Sequence, residues 1–284
     1  MVESMQQPSS SQSGHSGLPA SRRFFRRIRS SILQFEPIYR LYLRYKYGTR
    51  GLSTSPDVPL PNGVLQSEAE WREATRRGKK LQLPLHRSAE KNWDHLAAVD
   101  AIASAFPRSA FVLDAGAEFY SNVLPALFAY GYQHLYGMNL SFADPARRGP
   151  IRYVPGDITR TGFPDAFFDA ITCMSVIEHG VPLPAYFQEM FRLLKPGGVL
   201  ITSTDYYPDP IDTMNQVAHG SPIKIFSKSD AEQMIAMAES CGFEPTGPID
   251  LECCRPSVRW DLYHLEFTFL IFTLRKPAHF PEQG

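Results

Sequence analysis

The stretch that decides the fold is FVLDAGAEFYSN, residues 111–122. An apolar run ends at Asp114, a glycine follows at 116, and Ser121 stands where a helix can be capped. Strand, tight turn and helix start therefore succeed one another. Nucleotide-cofactor loops have this outline. Glycine lets the backbone approach a ligand closely, and a helix N-terminus aims free N–H groups at it. Such loops usually carry two or three glycines, and Gly116 alone remains here. An ordinary turn has the same outline, so the rest of the chain must decide.

Outward from this stretch the pattern is regular. Short apolar runs lie at 110–114, 134–140, 151–155, 167–174 and 198–204. After the first, Ser121 can cap a helix that carries Leu124, Leu127 and Phe128 on one face and ends at Gly131. Before the fifth, Phe187, Met190, Phe191 and Leu194 form a helical stripe stopped by KPGG. After it, Ser229 and Glu232 make a capping-box pair ahead of Ala231, Met234, Ile235 and Ala238, with Gly242 just past the end. The gaps between the second, third and fourth runs are too short or too irregular for a helix.

Strands alternating with helices predict a mainly parallel sheet wrapped on both faces, with ligands outside the carboxyl ends of the strands. The tail ECCRPSVRWDLYHLEFTFLIFTLRK, residues 252–276, lacks intervening helices. It adds one or two strands, the last at 267–275, antiparallel at one side of the sheet.

The N-terminal part is different. Residues 1–20 are rich in Ser, Gln and Gly, too polar to order themselves, and they contain no apolar core of a signal peptide. Residues 21–65 form a basic amphipathic helix and a linker: Phe24 or Phe25, Ile28, Ile32 and Phe35 recur at helical spacing among arginines, Pro37 interrupts the helix, and 48–63 has loop chemistry. Residues 66–284 are the remaining domain, opened by helices near 67–79 and 88–105.

Net charge is zero but unevenly spread. Residues 21–50 hold nine Lys or Arg against Glu36 alone, a net +8; Glu3 makes residues 1–20 −1, which leaves −7 beyond residue 50. The basic segment has three explanations: an anionic membrane surface met through residues 21–45, a nucleic acid met through its arginines, or packing on the acidic body. No RNA-binding motif accompanies it, so no nucleic-acid partner is expected. With 43% apolar and 20% charged residues the chain has a globular composition, and no run reaches the roughly 18 apolar residues of a membrane span. Cys173, Cys241, Cys253 and Cys254 show neither metal-ligand spacing nor a disulfide framework, so a reduced cytoplasmic protein, membrane-peripheral at most, is expected.

Four strand ends carry chemistry: VLDAGA at 112–117, YGMNLS at 136–141, GDITRTGFPDAFFDAITCMSVIEH at 156–179 and LKPGGVLITSTD at 194–205. In this order and spacing they resemble the class I S-adenosylmethionine-dependent methyltransferases, of the broad type-11 group, over about residues 90–276. The resemblance implies a Rossmann-like, doubly wound, mostly parallel seven-stranded sheet with an antiparallel C-terminal strand, and S-adenosylmethionine as cofactor. It places Asp114, Ala115, Gly116 and Ala117 beside the methionyl part. Glu118 and Tyr120 stand where the family usually has glycine; Glu118 either meets the cofactor's ammonium or points into water. Asn139, followed by Leu140, replaces a carboxylate that grips the ribose, and either bonds it without charge assistance or only shapes the turn. Asp157 and the Ile158 N–H face the adenine, and Met174 and Ser175 pass beside the cofactor. Asp169 is structural.

On the acceptor side, His179 is the first candidate base, because imidazole suits proton removal near neutral pH. Glu178 stands beside it, and EH at this point is also a helix-start feature of the family. Asp205, Tyr206, Tyr207 and His219 follow the fifth strand, and Tyr206 is a further catalytic candidate. Lys91, Trp93 and Asp94 lie in a lid helix before the first strand, with Trp93 read as core. No G-x-G-x-x-G is present for a nicotinamide enzyme. The expected function is methyl transfer to a small-molecule, glycan- or lipid-linked acceptor at oxygen; the alternative is an inactive methyltransferase-like binding module.

Overall fold

The computed structural model describes residues 32–49, 51–52, 57–218 and 220–278. The polar leader, basic residues 21–31, Arg50 and His219 lie outside the described residues.

The strands in chain order are β1 (Gly63–Val64), β2 (Phe111–Ala115), β3 (His134–Asn139), β4 (Ala146–Arg148), β5 (Ile151–Pro155), β6 (Phe168–Met174), β7 (Leu194–Tyr206), β8 (Val217–Ala218), β9 (Ser221–Pro222), β10 (Glu244–Pro245), β11 (Val258–Trp260) and β12 (Leu265–Arg275). The helices are α1 (Glu36–Tyr47), α2 (Glu68–Lys80), α3 (Asn92–Ala105), α4 (Val123–Ala129), α5 (Leu183–Leu193) and α6 (Lys228–Ser240).

The main sheet runs β1-β12-β7-β6-β2-β3-β5-β4, and β10 and β11 also pair with β12. Pairings β2–β3, β2–β6, β3–β5 and β6–β7 are parallel, while β12 runs antiparallel to β7. The central strands read as unbroken apolar runs because both faces are covered. On one face α3 and α4 bury Val99, Ile102, Leu124, Leu127 and Phe128; on the other α5 and α6 bury Tyr186, Phe187, Met190 and Met234. This is the doubly wound α/β architecture. Strand order reverses at β2, which has β3 on one side and β6 on the other, and that reversal opens a crevice at their carboxyl ends.

Several local expectations shift. The helix expected over residues 21–31 lies outside the described residues; helical residue Ile32 is followed by a break at 33–35, and Pro37 lies in the first turn of the new helix α1, where a missing N–H costs nothing. The cap of α4 is Asn122, one residue later than expected, because the Ser121 hydroxyl accepts the Glu118 N–H at 2.9 Å. The capping box of α6 is Ser227 with Asp230, not Ser229 with Glu232. The linker ends in the sheet, since Gly63 and Val64 pair with Ile271 and Leu270. β12 is therefore flanked on both sides and is not an edge strand.

Candidate active site

The carboxyl ends of β2, β3, β5, β6 and β7 open on one cavity of about 850 Å³, closed from above by the start of α3 and from one side by β11 and β12.

Gly116 is its hub. Its φ of +88° is left-handed, its N–H donates to the Met138 carbonyl at 2.8 Å, and a Cβ there would lie 2.4 Å from Val176 Cγ2. No other residue allows the first, second and fourth loops to meet so closely. The second loop is tied to the first by Asn139, whose Nδ2 donates to the Gly116 carbonyl at 3.0 Å while its Oδ1 accepts the Ser141 N–H at 2.8 Å. Ser141 Oγ then donates to Glu118 Oε1 at 2.7 Å. Glu118 and Asn139 thus take the places of glycine and carboxylate as a brace across the mouth, and both still line the cavity, as do Leu140 and Ser141.

Asp114, Ala115 and Ala117 lie behind the lining. Asp114 accepts from Thr172 Oγ1 at 2.8 Å, tying β2 to β6, and burial pushes its carboxyl up to about 6 against the opposing Thr172 bond. At the third loop, Asp157 is exposed and its Oδ1 takes the N–H and hydroxyl of Thr159 at 2.8 and 2.7 Å, while Ile158 turns inward. Met174, Ser175, Glu178 and His179 line the fourth side.

The inner end gathers charge. Lys91 Nζ donates to Ser175 Oγ at 2.5 Å, lies 3.5 Å from Asp205 Oδ1 and sits 4.4 Å over the Phe269 ring. Glu178 is 2% exposed and accepts from Thr204 Oγ1 at 3.1 Å. Burial, reinforced by Asp205 and opposed by Lys91, pushes its carboxyl up to about 8. Burial alone would lower Lys91, but Asp205, Glu178 and Asp94 outweigh it and raise it. Asp94 itself is held by Ser203 Oγ at 2.6 Å and stays outside the lining.

Tyr206 needs correction as a catalytic candidate. It is fully buried, its hydroxyl donates to the Leu251 carbonyl at 2.6 Å, and it does not line the cavity; alternation along β7 sends Asp205 to the site and Tyr206 to the core. Tyr207 likewise packs away from the cavity, and Trp93 packs against the core as expected.

Two histidines and an aromatic wall escaped the sequence. His95 lies one helical turn after Lys91 and shares its face. Asn122 Nδ2 donates to the Pro84 carbonyl at 3.1 Å, so its Oδ1, 2.5 Å from His95 Nδ1, fixes the imidazole proton there. His86, 5.3 Å from His95 between centroids, is lowered to about 4 by burial and by His95, so it is neutral at physiological pH. Phe267 and Phe269 face the cavity from alternate positions of β12, beside Val258 and Trp260 of β11. The period of two in LEFTFLIF was the signal for them.

Comparison with known proteins bears on this geometry. Residues 113–202 match the family model described as a methyltransferase domain. The chain is 28% identical over 119 residues to sterol 24-C-methyltransferase of Candida albicans, covering 39% of this chain and 31% of that enzyme. It is 31% identical over 118 residues to the Yarrowia lipolytica sterol 24-C-methyltransferase, covering 39% and 30%. The match thus spans under a third of the length of these two relatives. Among solved structures, the [4+2]-cyclase SpnF superposes with a TM-score of 0.50 at 16% identity, over 79% of this chain and 100% of that one, a likeness of fold alone. Sheet order, strand-end loops and the match over residues 113–202 agree on a class I S-adenosylmethionine-dependent methyltransferase domain of type 11, with S-adenosylmethionine as the cofactor.

Proposed function

We propose that the chain is an active methyltransferase that acts at an oxygen of a small-molecule, glycan- or lipid-linked acceptor with an apolar body. One observation carries this reading: a single cavity holds the cofactor-type strand ends and, further in, Lys91, Glu178 and Asp205 against an aromatic wall.

The residues present fit the cofactor. The cavity is within the size range of small-molecule sites. Thr159 engages only Oδ1 of Asp157, which leaves Oδ2 for an adenine amino group beside Ile158. Asn139 and Leu140 would hold the ribose, and the Gly116 loop the methionine end. Asn139 offers the second lone pair of a neutral oxygen, a bond roughly half as strong as a carboxylate's. When bound, S-adenosylmethionine supplies an electrophilic methyl group on a sulfonium, open to in-line displacement.

The chain's own residues then position the acceptor and remove its proton. We assign proton acceptance to Glu178 in preference to His179. A carboxyl raised to about 8 titrates near the working pH, where general bases are most effective, and Thr204 fixes its rotamer. Lys91, kept charged by the carboxylates around it, lowers the cost of negative charge developing on the acceptor oxygen. Val258, Trp260, Phe267 and Phe269 support an apolar acceptor body, as does the likeness to sterol-methylating enzymes. Those relatives are named for a carbon acceptor; the group of half-buried Lys91 with buried Asp205 and Glu178 favours oxygen here.

Isothermal titration of the full chain with S-adenosylmethionine and S-adenosylhomocysteine tests the cofactor. Saturable single-site binding of both is expected, and no binding of either at millimolar ligand would refute the proposal. Radiolabelled methyl transfer into solvent-extractable material, labile to treatments that cleave methyl esters or ethers, then tests the acceptor atom.

A further inference from the structure

α1 carries apolar side chains on two opposite faces. Tyr39 and Leu43 are buried on one, where Tyr39 stacks on Phe128 at 5.7 Å, and Leu33 just before the helix fixes it through the Gly149 N–H at 2.8 Å. On the other, Ile38, Leu41 and Tyr45 recur at helical spacing and are 40%, 65% and 90% exposed; Phe35 and Ile32 extend the row at 66% and 46%. Five of the ten exposed large hydrophobic side chains of the described residues thus fall within fourteen positions of sequence. A row of this kind on a rigidly docked helix marks an interaction surface.

Charge identifies the partner. The row lies inside the segment 21–50, which carries +8, while the chain beyond residue 50 carries −7. Arg44 and Lys46 stand exposed in the last turn of α1 beside it. An acidic protein surface would take the charge but not the apolar row, and a neutral apolar partner would leave the cations unmatched. An anionic bilayer takes both: acyl chains and the interfacial zone accept Phe, Leu, Ile and Tyr, and headgroup phosphates pair with Arg and Lys. The acidic body is repelled from such a surface, which orients the molecule with α1 downward.

We propose that the outer face of α1, from Ile32 to Tyr45, docks the protein on anionic phospholipid membranes. The docking stands independently of methyl transfer.

Co-sedimentation of the full chain with vesicles tests it, using phosphatidylcholine alone and with about a third phosphatidylserine. The protein should pellet with the anionic vesicles only, and salt should release it. The triple substitution Phe35→Ser, Leu41→Ser, Tyr45→Ser changes exposed side chains only, so the unfolding midpoint should hold, while the partition coefficient should fall about tenfold or more. Unchanged partitioning of that variant overturns the proposal, and so does equal binding to neutral and anionic vesicles. A dimer in light scattering that the triple variant turns into a monomer, with no vesicle binding by either protein, also overturns it and assigns the face to a second copy of the chain.

Discussion

Glu178→Gln separates the electrostatics of the site from its shape. Glu178 is 2% exposed and raised from an ordinary value of 4.5 to about 8, first by burial and then by Asp205. A raised acid makes the sign definite. Below pH 4.5 folded and unfolded chains both hold the proton, and the contribution to stability is complete. Between 4.5 and about 8 the unfolded chain releases it while the folded protein keeps it, so stability falls as pH rises. The slope is about 1.4 kcal/mol per pH unit, which amounts to about 3 kcal/mol by pH 7. Glutamine cannot ionise, and its amide oxygen can still accept the Thr204 hydroxyl. The variant should therefore match the parent near pH 4.5 and exceed it by about 3 kcal/mol at pH 7, or about 6–12 °C in Tm for a domain of this size. Urea unfolding from pH 4.5 to 9 measures the difference. Methyl transfer by the same variant should fall about a hundredfold or more, with the alkaline rise of the pH–rate profile removed. A stability difference between parent and variant that stays constant across this pH range would refute the reasoning.

Other substitutions probe the remaining parts. Gly116→Ala places a Cβ 2.4 Å from Val176 Cγ2 at a left-handed φ, so it should cost about 2–4 kcal/mol and weaken S-adenosylhomocysteine binding in calorimetry. Asn139→Asp restores the carboxylate usual in the family yet loses the donor to the Gly116 carbonyl and sets two oxygens against each other. Denaturation should show a loss of about 1–2 kcal/mol, not the gain that family likeness suggests. Tyr206→Phe removes only the hydroxyl bonded to Leu251; it should cost about 1 kcal/mol in urea unfolding and leave kcat within about twofold.

The cofactor half of the site was legible because a strand end, a turn and a helix start are consecutive in sequence. VLDAGA, YGMNLS and GDI each place their residues at a known end of a parallel strand, and Gly116, Asn139, Leu140, Asp157 and Ile158 all reach the cavity. Helix caps were less legible. Ser227 with Asp230 and Ser229 with Glu232 have the same spacing, and only the packed geometry of α6 chooses between them. Tyr206 shows the same limit in a strand: its neighbour Asp205 points into the site, so a shift of one position reverses the assignment.

The sequence by itself determined the alternating α/β order, the parallel sheet and the cofactor edge, because these follow from local periodicity and turn chemistry. Tertiary structure alone decided what Glu118 and Asn139 do. Their partners Ser141 and Gly116 stand on the neighbouring loop, and the brace exists only once β2 and β3 are paired. It also decided the inner end, where Lys91 at the start of α3, Glu178 after β6, Asp205 in β7 and Phe269 in β12 meet across 178 positions of sequence. The protonation of Lys91 and Glu178 depends on shared burial, a property of the packed molecule that no stretch of the chain carries alone.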